Sequence, residues 1–208
     1  MRRMTAIGME RRIAIGGDSA SLDRIVRPDV ALAIWWRPMP QTLRAALRTL
    51  DLTLVDDVAV EIDLEGSIQA VLRTAGYSGS VLDLLGADVD RLIRRHAALT
   101  GEDRQRVRLS VMEREADARF HADCTTFGLT CTYIGPGRQW CCAEGQDAIY
   151  EVPTGAVGVF KGRTLLDPPL ILHRSPPGGH PRLRLRIDPV RSGDPDRPTS
   201  ARPQADPC

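Results

Sequence analysis

Aromatic residues and lysine are both scarce in this sequence of 208 residues. Phe, Trp and Tyr together make up 4% of the chain, so a buried core has to be built mainly from Leu, Val, Ile and Ala. Lys161 is the only lysine. The 28 Lys and Arg residues against 27 Asp and Glu residues leave a formal net charge of +1. This balance argues against a general nucleic-acid binder, which normally carries a basic excess.

The sequence also has no long apolar run. No stretch reaches the roughly 20 apolar residues that a membrane-spanning helix needs, and the N-terminus has no apolar segment of signal-peptide length. We therefore expect a cytoplasmic protein without a membrane or nucleic-acid partner, whose substrate is a small molecule or another unidentified compound. The sequence does not indicate an oligomeric state.

Cysteine occurs five times, an odd number, and four of the five lie between Cys124 and Cys142. In a reducing cytosol such residues are expected to be free thiols or metal ligands rather than disulfides. A separate zinc site built from them is disfavoured, because the sequence has no Cys-x-x-Cys and adjacent strand residues point to opposite faces.

Changes in composition divide the chain into four parts. Residues 1–20 are weakly patterned and are expected to be poorly ordered. Residues 21–104 are expected to be mainly helical. Residues 105–188 consist of short β-branched segments between Gly and Pro turns, which is typical of a sandwich or barrel such as a jelly roll. Residues 189–208 are rich in Pro, Ser, Asp and Arg and are expected to form a disordered tail.

Two apolar stripes at helical spacing support the helical assignment, one from Leu43 to Leu50 and one from Val81 to Ile93. Thr100 and Gly101 predict the end of the second helix. The expected fold class is therefore α+β. A helical N-terminal portion would pack on a C-terminal double-stranded β-helix, the jelly-roll or cupin-like core.

His121 and Asp123 are separated by a single residue, so in an extended segment their side chains point to the same face. His173 follows about fifty residues later, at the end of another short apolar segment. Two imidazoles and one carboxylate leave half of an octahedral coordination sphere open, as in non-haem Fe(II) oxygenases. We predict that these three residues bind one metal ion, and their mixed nitrogen and oxygen donors favour Fe(II).

Arg182 follows His173 by nine residues and begins a strand in which Arg and Leu alternate. Its guanidinium could bind the far carboxylate of a dicarboxylate co-substrate bidentately, and Tyr133 could add a hydroxyl group. Arg184 shares the face of Arg182 and is the second candidate. Arg186 lies on this face too, so the opposite orientation, with all three arginines in solvent and no carboxylate-binding residue, stays open.

The order of these residues resembles that of the 2-oxoglutarate-dependent dioxygenases: His-x-Asp, about fifty residues, His, and then Arg about ten residues later. The segments VPTGAVGVFKG and LILHRSP are also similar to the strand pair that leads to the second histidine of those enzymes. The resemblance covers roughly residues 107–188. It implies a metal-dependent dioxygenase in which the three ligands hold Fe(II) and 2-oxoglutarate binds to the arginine and tyrosine candidates.

A second resemblance covers most of the chain. The blocks RFHAD, TCTYIGPGRQW, GAVGVFKG and HRSPPGGHPRLRLRID, with IWWRP near the N-terminus, resemble those of a bacterial family known as domain of unknown function 1826. The family has no established reaction, so the resemblance implies that HRSP and YIGPG are functional without assigning their roles. Gly128 and Arg138 stand where that pattern has Arg and Thr, so no role of those two side chains carries over.

Other interpretations of the same residues stay open. In a non-catalytic, cupin-like protein of metal homeostasis, the three ligands would hold zinc or iron without a carboxylate-binding arginine. A cupin-type enzyme would keep the metal and dispense with 2-oxoglutarate. Without any metal, His121 would cap a turn and His173 would be a hydrogen-bonded core residue. Lys161 is typical of a turn, Trp140 of a packing position and His180 of a solvated loop.

Overall fold

A computed structural model describes residues 12–112, 119–145, 148–178 and 181–191 of the chain. Most of the N-terminal segment 1–20 and of the tail 189–208 lies outside these ranges, and so does His180. The expectations for those residues therefore stay predictions.

The described residues form ten strands and three α-helices. The strands are β1 (Ile13–Gly16), β2 (Leu32–Trp35), β3 (Val58–Asp63), β4 (Arg104–Met112), β5 (Phe127–Ile134), β6 (Arg138–Cys142), β7 (Tyr150–Val152), β8 (Val157–Lys161), β9 (Ile171–Arg174) and β10 (Arg182–Pro189). The helices are α1 (Gln41–Leu47), α2 (Gln69–Thr74) and α3 (Gly79–Thr100), with short 3₁₀ helices at Ser19–Val26 and Leu52–Leu54.

The strands make two sheets. The large sheet has seven strands in the order β1-β2-β8-β5-β10-β4-β3, and the small sheet has three in the order β7-β6-β9. Strands β1 and β2 are parallel, whereas the other pairs are antiparallel. The strand-rich region after residue 104 is as expected. The mainly helical N-terminal portion is not confirmed, because residues 21–104 contain β2 and β3, and β1 precedes them; these strands complete the two edges of the large sheet.

Helix α3 covers one face of the large sheet. Its apolar stripe, which includes Leu85, Val89 and Leu92, is buried in one cluster with Leu129 of β5 and Leu185 of β10. The helix ends at Gly101, whose φ of 73° is the left-handed conformation that glycine adopts most easily. In the described ranges, no helix is long and apolar enough to cross a lipid bilayer.

The small sheet covers the opposite face of the large sheet. Ile34 of β2 and Phe160 of β8 are buried together with Trp140 of β6 and Ile171 of β9. Because the large sheet is buried on both sides, alternate residues of one strand enter two different environments. We call the side towards α3 the helical face and the side towards the small sheet the cleft face.

Strand β10 shows this division clearly. Leu183, Leu185 and Ile187 are fully buried in the main cluster on the helical face. Arg184 and Arg186 lie on the cleft face. The sequence left two orientations open for this strand, with either the arginines or the leucines facing inward. In the structure both faces are inside the protein: the leucines enter the core, and Arg184 and Arg186 point into the cleft.

A buried ion pair ties the helical layer to the sheet. The Arg37 guanidinium donates to both carboxylate oxygens of Asp88, each at 2.6 Å, and to the carbonyl of Gly155 at 3.0 Å. The Tyr133 hydroxyl donates to the same carboxylate at 2.7 Å. Buried charges are tolerated only when their hydrogen-bonding capacity is met. Here Arg37 and Asp88 bond to each other, and Gly155 and Tyr133 supply one further hydrogen bond to each.

Replacement of Asp88 with alanine is expected to destabilise the fold by about 3–5 kcal/mol, because it leaves the buried guanidinium of Arg37 without its carboxylate. The side chains of this pair are 6% and 7% exposed. Glu144→Ala is the matched control, since Glu144 pairs with Arg12 but is 69% exposed, and its loss should cost no more than about 1 kcal/mol. Urea unfolding measures both, and equal losses would contradict this assignment.

Candidate metal centre

His121 and His173 are brought together by the backbone. The two residues form an isolated antiparallel bridge, in which the His121 N–H donates to the His173 carbonyl at 3.0 Å and the His173 N–H donates back at 2.8 Å. Residues paired in this way project their side chains to the same side of the ladder. The ring centroids are therefore only 4.8 Å apart.

Asp123 completes the group of three. Its Oδ1 lies 3.6 Å from Nε2 of His121, and its Oδ2 lies 3.3 Å from Nε2 of His173. One ligand atom from each residue lies within 4.8 Å of the other two, and within the described ranges these residues are the group that could hold a metal ion. Because metal bonds of about 2.0–2.2 Å place neighbouring donors about 3 Å apart, the donor set fits a divalent ion.

Close backbone packing positions Asp123. The Arg163 N–H donates to the Asp123 carbonyl at 2.9 Å, and the Gly162 N–H donates to the Thr126 carbonyl at 2.8 Å. A β-carbon on Gly162 would lie 2.1 Å from the carbonyl oxygen of Thr125. Glycine is therefore required at position 162 for the loop that carries Asp123 to lie against the end of β8.

Further contacts orient the two imidazoles. Nδ1 of His121 donates to the carbonyl of Arg119 at 2.8 Å, which leaves the lone pair on Nε2, as metal-binding histidines commonly arrange it. The ring of Phe160 stacks on His173 with a centroid distance of 4.6 Å. His173 is almost fully buried, whereas His121 is partly exposed.

Arg186 neutralises the carboxylate. Its guanidinium donates to Asp123 at 3.1 Å and, through two further bonds of 2.6 and 3.0 Å, to Asp188. Burial favours the neutral carboxyl, but the charge of Arg186 and the neighbouring imidazoles outweigh it and hold the pKa of Asp123 well below its ordinary value. Asp123 is therefore an ionised carboxylate, the form that binds metals.

The two histidines have different electrostatic surroundings. The carboxylate of Asp123, 3.6 Å from Nε2, raises the pKa of His121, although burial opposes this effect. Burial lowers the pKa of His173 well below its ordinary value, and the positive charge of Arg138 adds to this shift while Asp123 opposes it. His173 is thus a neutral imidazole at neutral pH.

Arg138 contacts both rings. From β6 its Nε donates to Nδ1 of His173 at 2.7 Å, and its Nη2 lies 3.2 Å from Nε2 of His121. The Arg138 side chain is buried, with only 5% of the residue exposed. A guanidinium offers only donors, so both imidazoles accept hydrogen bonds from it.

The site opens into a cleft between the two sheets. Its free space is small, about 10 Å³, which is room for about one water molecule. Three arginines and one carboxylate are among its lining residues. The lining residues are Asp123, Gly128, Leu129, Thr130, Arg138, Phe160, His173, Arg184 and Arg186.

The candidates for carboxylate binding lie in different places. Arg184 lines the cleft and contacts the Ser175 hydroxyl at 3.5 Å. Arg182 is buried at the start of β10, where its side chain packs against Gly135, and it is not among the lining residues. Tyr133 lies on the helical face with its hydroxyl bonded to Asp88, so the structure does not bring it to the cleft.

Lys161, Trp140 and the buried cysteines make packing or backbone contacts rather than lining the cleft. Nζ of Lys161 donates to the Arg27 carbonyl at 2.7 Å, and Trp140 is buried and stacks on Tyr150. Cys131, Cys141 and Cys142 are buried and free, and burial raises the pKa of Cys131 to about 11. Cys124 takes part in a disulfide, so the expectation of a free thiol or metal ligand is wrong for that residue.

Two residues of the site are absent from the sequence-based candidates. Arg186 is the partner of Asp123. The alternation of Arg and Leu in β10 already placed it on the same face as Arg184, and this could have identified it. Arg138 is the partner of both histidines. The sequence marks it only as a departure from a family pattern, because nothing in a sequence shows which side chains of β6 face β9.

Two solved structures share this fold at low sequence identity. A dioxygenase for auxin oxidation from rice has a TM-score of 0.50 and 13% identity, with 87% of this chain and 83% of that chain covered. Dioxygenase for auxin oxidation 1 from Arabidopsis thaliana, solved with 2-oxoglutarate, has a TM-score of 0.50 and 9% identity, covering 89% and 94%. The chain therefore shares its fold with these dioxygenases.

The sequence comparison is more specific. Residues 16–188 match the family described as protein of unknown function (DUF1826). Because the match spans most of the chain, the protein belongs to this family, which confirms the resemblance found in the sequence blocks. No curated protein matches the sequence significantly.

The charge of Asp123 should contribute stability that depends on pH. Because its pKa is lowered on folding, the contribution is present above the ordinary value of 3.8 and is lost as the pH falls through the lower folded pKa. At about pH 6, Asp123→Asn is expected to cost about 1.5–3 kcal/mol. The difference from the parent protein, measured by urea unfolding, should shrink below about pH 3.8; a constant difference would contradict the assignment.

Proposed function

We propose that this protein is a metal-dependent oxygenase of the Fe(II)/2-oxoglutarate type, acting on a small-molecule substrate. The observation that carries the proposal is the convergence of His121, Asp123 and His173 in a cleft between two sheets. Two imidazoles and one carboxylate are the ligands that non-haem Fe(II) oxygenases use. The fold shared with two plant dioxygenases agrees with this choice, while the low identity leaves the substrate unspecified.

The ligand chemistry supports a divalent ion in this position. Asp123 is ionised, and His121 carries its proton on Nδ1 with the lone pair on Nε2. Imidazole and carboxylate donors suit iron as well as zinc, so zinc is the alternative metal. When bound with 2-oxoglutarate, iron supplies the oxidative chemistry, and the protein binds and orients the reactants.

Arg184 is the best candidate to bind the distal carboxylate of 2-oxoglutarate. It lines the cleft, whereas Arg182 does not. Arg186 lines the cleft too but donates three hydrogen bonds to Asp123 and Asp188, so its role is to hold the metal ligand. We therefore assign the dicarboxylate to Arg184, the second of the two arginines that the sequence proposed.

The protein's residues would have three tasks in such a reaction. Arg186 keeps Asp123 charged and in place, and Phe160 fixes the plane of His173 by stacking on it. The sheets on both sides shield the cleft and bury His173 almost fully, and charged interactions are stronger where solvent is less accessible. The cleft as described does not have room for a dicarboxylate, so side chains that line it have to move before the co-substrate binds.

A non-catalytic metal-binding protein is the second candidate, and the small free space of the cleft favours it. It would use the same three ligands for zinc or iron in metal homeostasis, and it would need no arginine for 2-oxoglutarate. The two functions therefore differ in one measurable property, the binding of 2-oxoglutarate to the metal-loaded protein.

Anaerobic titration with excess Fe(II) and 2-oxoglutarate tests the proposal. The chelate of the two gives a weak visible charge-transfer band, which we expect in the parent protein. Arg184→Met should weaken 2-oxoglutarate binding about 30-fold or more, the effect of losing a charged pair that contributes about 2 kcal/mol or more.

Arg182→Met is the matched control on the same strand and should keep the band. Loss of the band in this control alone would assign the co-substrate to Arg182 instead. A parent protein that binds Fe(II) but gives no band with 2-oxoglutarate would contradict the oxygenase and favour the non-catalytic protein.

A further inference from the structure

Arg138 lies where it interferes with the metal ligands. Its side chain extends from β6 into the cleft and is buried among them. It donates to Nδ1 of His173 at 2.7 Å and contacts Nε2 of His121 at 3.2 Å. One guanidinium therefore bridges the two imidazoles that would bind the same ion.

At His121 the interference is direct. Nδ1 of this ring donates to the Arg119 carbonyl, so the only lone pair of the neutral ring is on Nε2. That lone pair accepts the hydrogen bond from Arg138. A metal ion and the guanidinium need the same electrons, and one excludes the other.

At His173 the interference acts through the ring. Nδ1 accepts from Arg138, so the proton of the neutral imidazole is on Nε2, which lies 3.3 Å from Oδ2 of Asp123. In this arrangement Nε2 has no lone pair for a metal. Ligation requires the hydrogen bond from Arg138 to break and the proton to occupy Nδ1, the position that most metal-bound histidines use to donate.

Charge and space act in the same direction. Arg138 is a permanent cation in contact with both imidazoles, and it repels a metal cation that approaches the three ligand residues. The remaining free space, about 10 Å³, is enough for about one water molecule. Arg138 is one of the residues that line this space.

We propose that Arg138 is an internal cation that closes the metal centre, and that a metal ion binds only when its guanidinium leaves both imidazoles. The inference rests on the proposed function in one respect, since it assumes that the same three residues are the ligands. Departure of the guanidinium would prepare His121 and His173 for ligation and would also enlarge the cleft. Arg138 is thus a positioning residue that sets metal affinity.

Metal titration tests this role without any enzymatic assay. Co(II), whose visible absorption reports its ligands, is titrated into the full-length parent protein and into Arg138→Met. We expect the variant to bind Co(II) about ten- to a hundredfold more tightly, the range over which partners of metal-binding histidines commonly tune affinity. Arg138→Gln is a second variant, which keeps a polar side chain in the cleft in case the methionine disturbs folding.

Arg174→Met is the matched control. Arg174 is next to His173 on β9 and carries the same charge, but its guanidinium bonds to Gln139 and lies over the ring of Phe120. Its removal should leave Co(II) affinity within about threefold of the parent, because exposed or partly exposed charges are screened. Circular dichroism confirms that each variant is folded.

A second measurement follows the hydrogen bond itself. With nitrogen-15 labelling, the ring nitrogens of His173 and Nε of Arg138 are observed while Zn(II), a diamagnetic ion, is added to the parent protein. We expect zinc to remove the coupling between Arg138 and His173 and to move the imidazole proton from Nε2 to Nδ1. A purely structural role of Arg138 would leave this hydrogen bond in place.

The outcomes separate this inference from the proposed function. Equal and tight Co(II) binding by the parent and both Arg138 variants would overturn the inference while leaving the metal centre intact. Zinc binding with the Arg138 hydrogen bond preserved would overturn it as well. Failure of all proteins to bind any metal would overturn both, because removal of the guanidinium would then have opened no site.

Discussion

The pair of backbone hydrogen bonds between His121 and His173 is the interaction on which the candidate site depends. His173 belongs to the small sheet, whereas His121 lies in the loop that leads to β5 of the large sheet. The bridge joins these two parts of the protein at the point where their side chains are needed. The bridge also helps to place Asp123, which lies two residues after His121 in the same loop. Backbone contacts with Gly162 and Arg163 hold this loop at the end of β8.

Much of the site was accessible from the sequence because its signals are local. The His-x-Asp pair and a histidine at the end of a later strand specify the metal-donor set by residue type and spacing, and the arginines soon after that histidine are candidates for carboxylate binding. The structure brings the three predicted ligand residues together. Helix α3 was equally accessible, since its buried stripe has the helical period and its glycine end is a known signal.

The remaining features depend on contacts between distant segments, which a single sequence does not reveal. Alternation in β10 separates arginines from leucines, but it cannot say which face is inside when both faces are covered. Tyr133 lies on the helical face because Arg37 and Asp88 form a polar centre there. Strands β2 and β3 were missed for the same reason, because β8 and β4, with which they pair, are far away in the sequence. The contact of Arg138 with His173 depends on the pairing of β6 with β9, which the sequence does not show.

The two-sided burial of the large sheet has a consequence for how the protein can evolve. In β10 the residues that stabilise the core and those that line the cleft occupy alternating positions, and β5 and β8 follow the same rule. Except where a residue holds a buried ion pair, as Arg186 does, substitutions at the cleft positions alter charge and shape in the site while the hydrophobic contacts with α3 are retained. Ligand preference can therefore drift among relatives of this protein without a matching loss of folding stability, and kinship in this fold is a weak guide to shared chemistry.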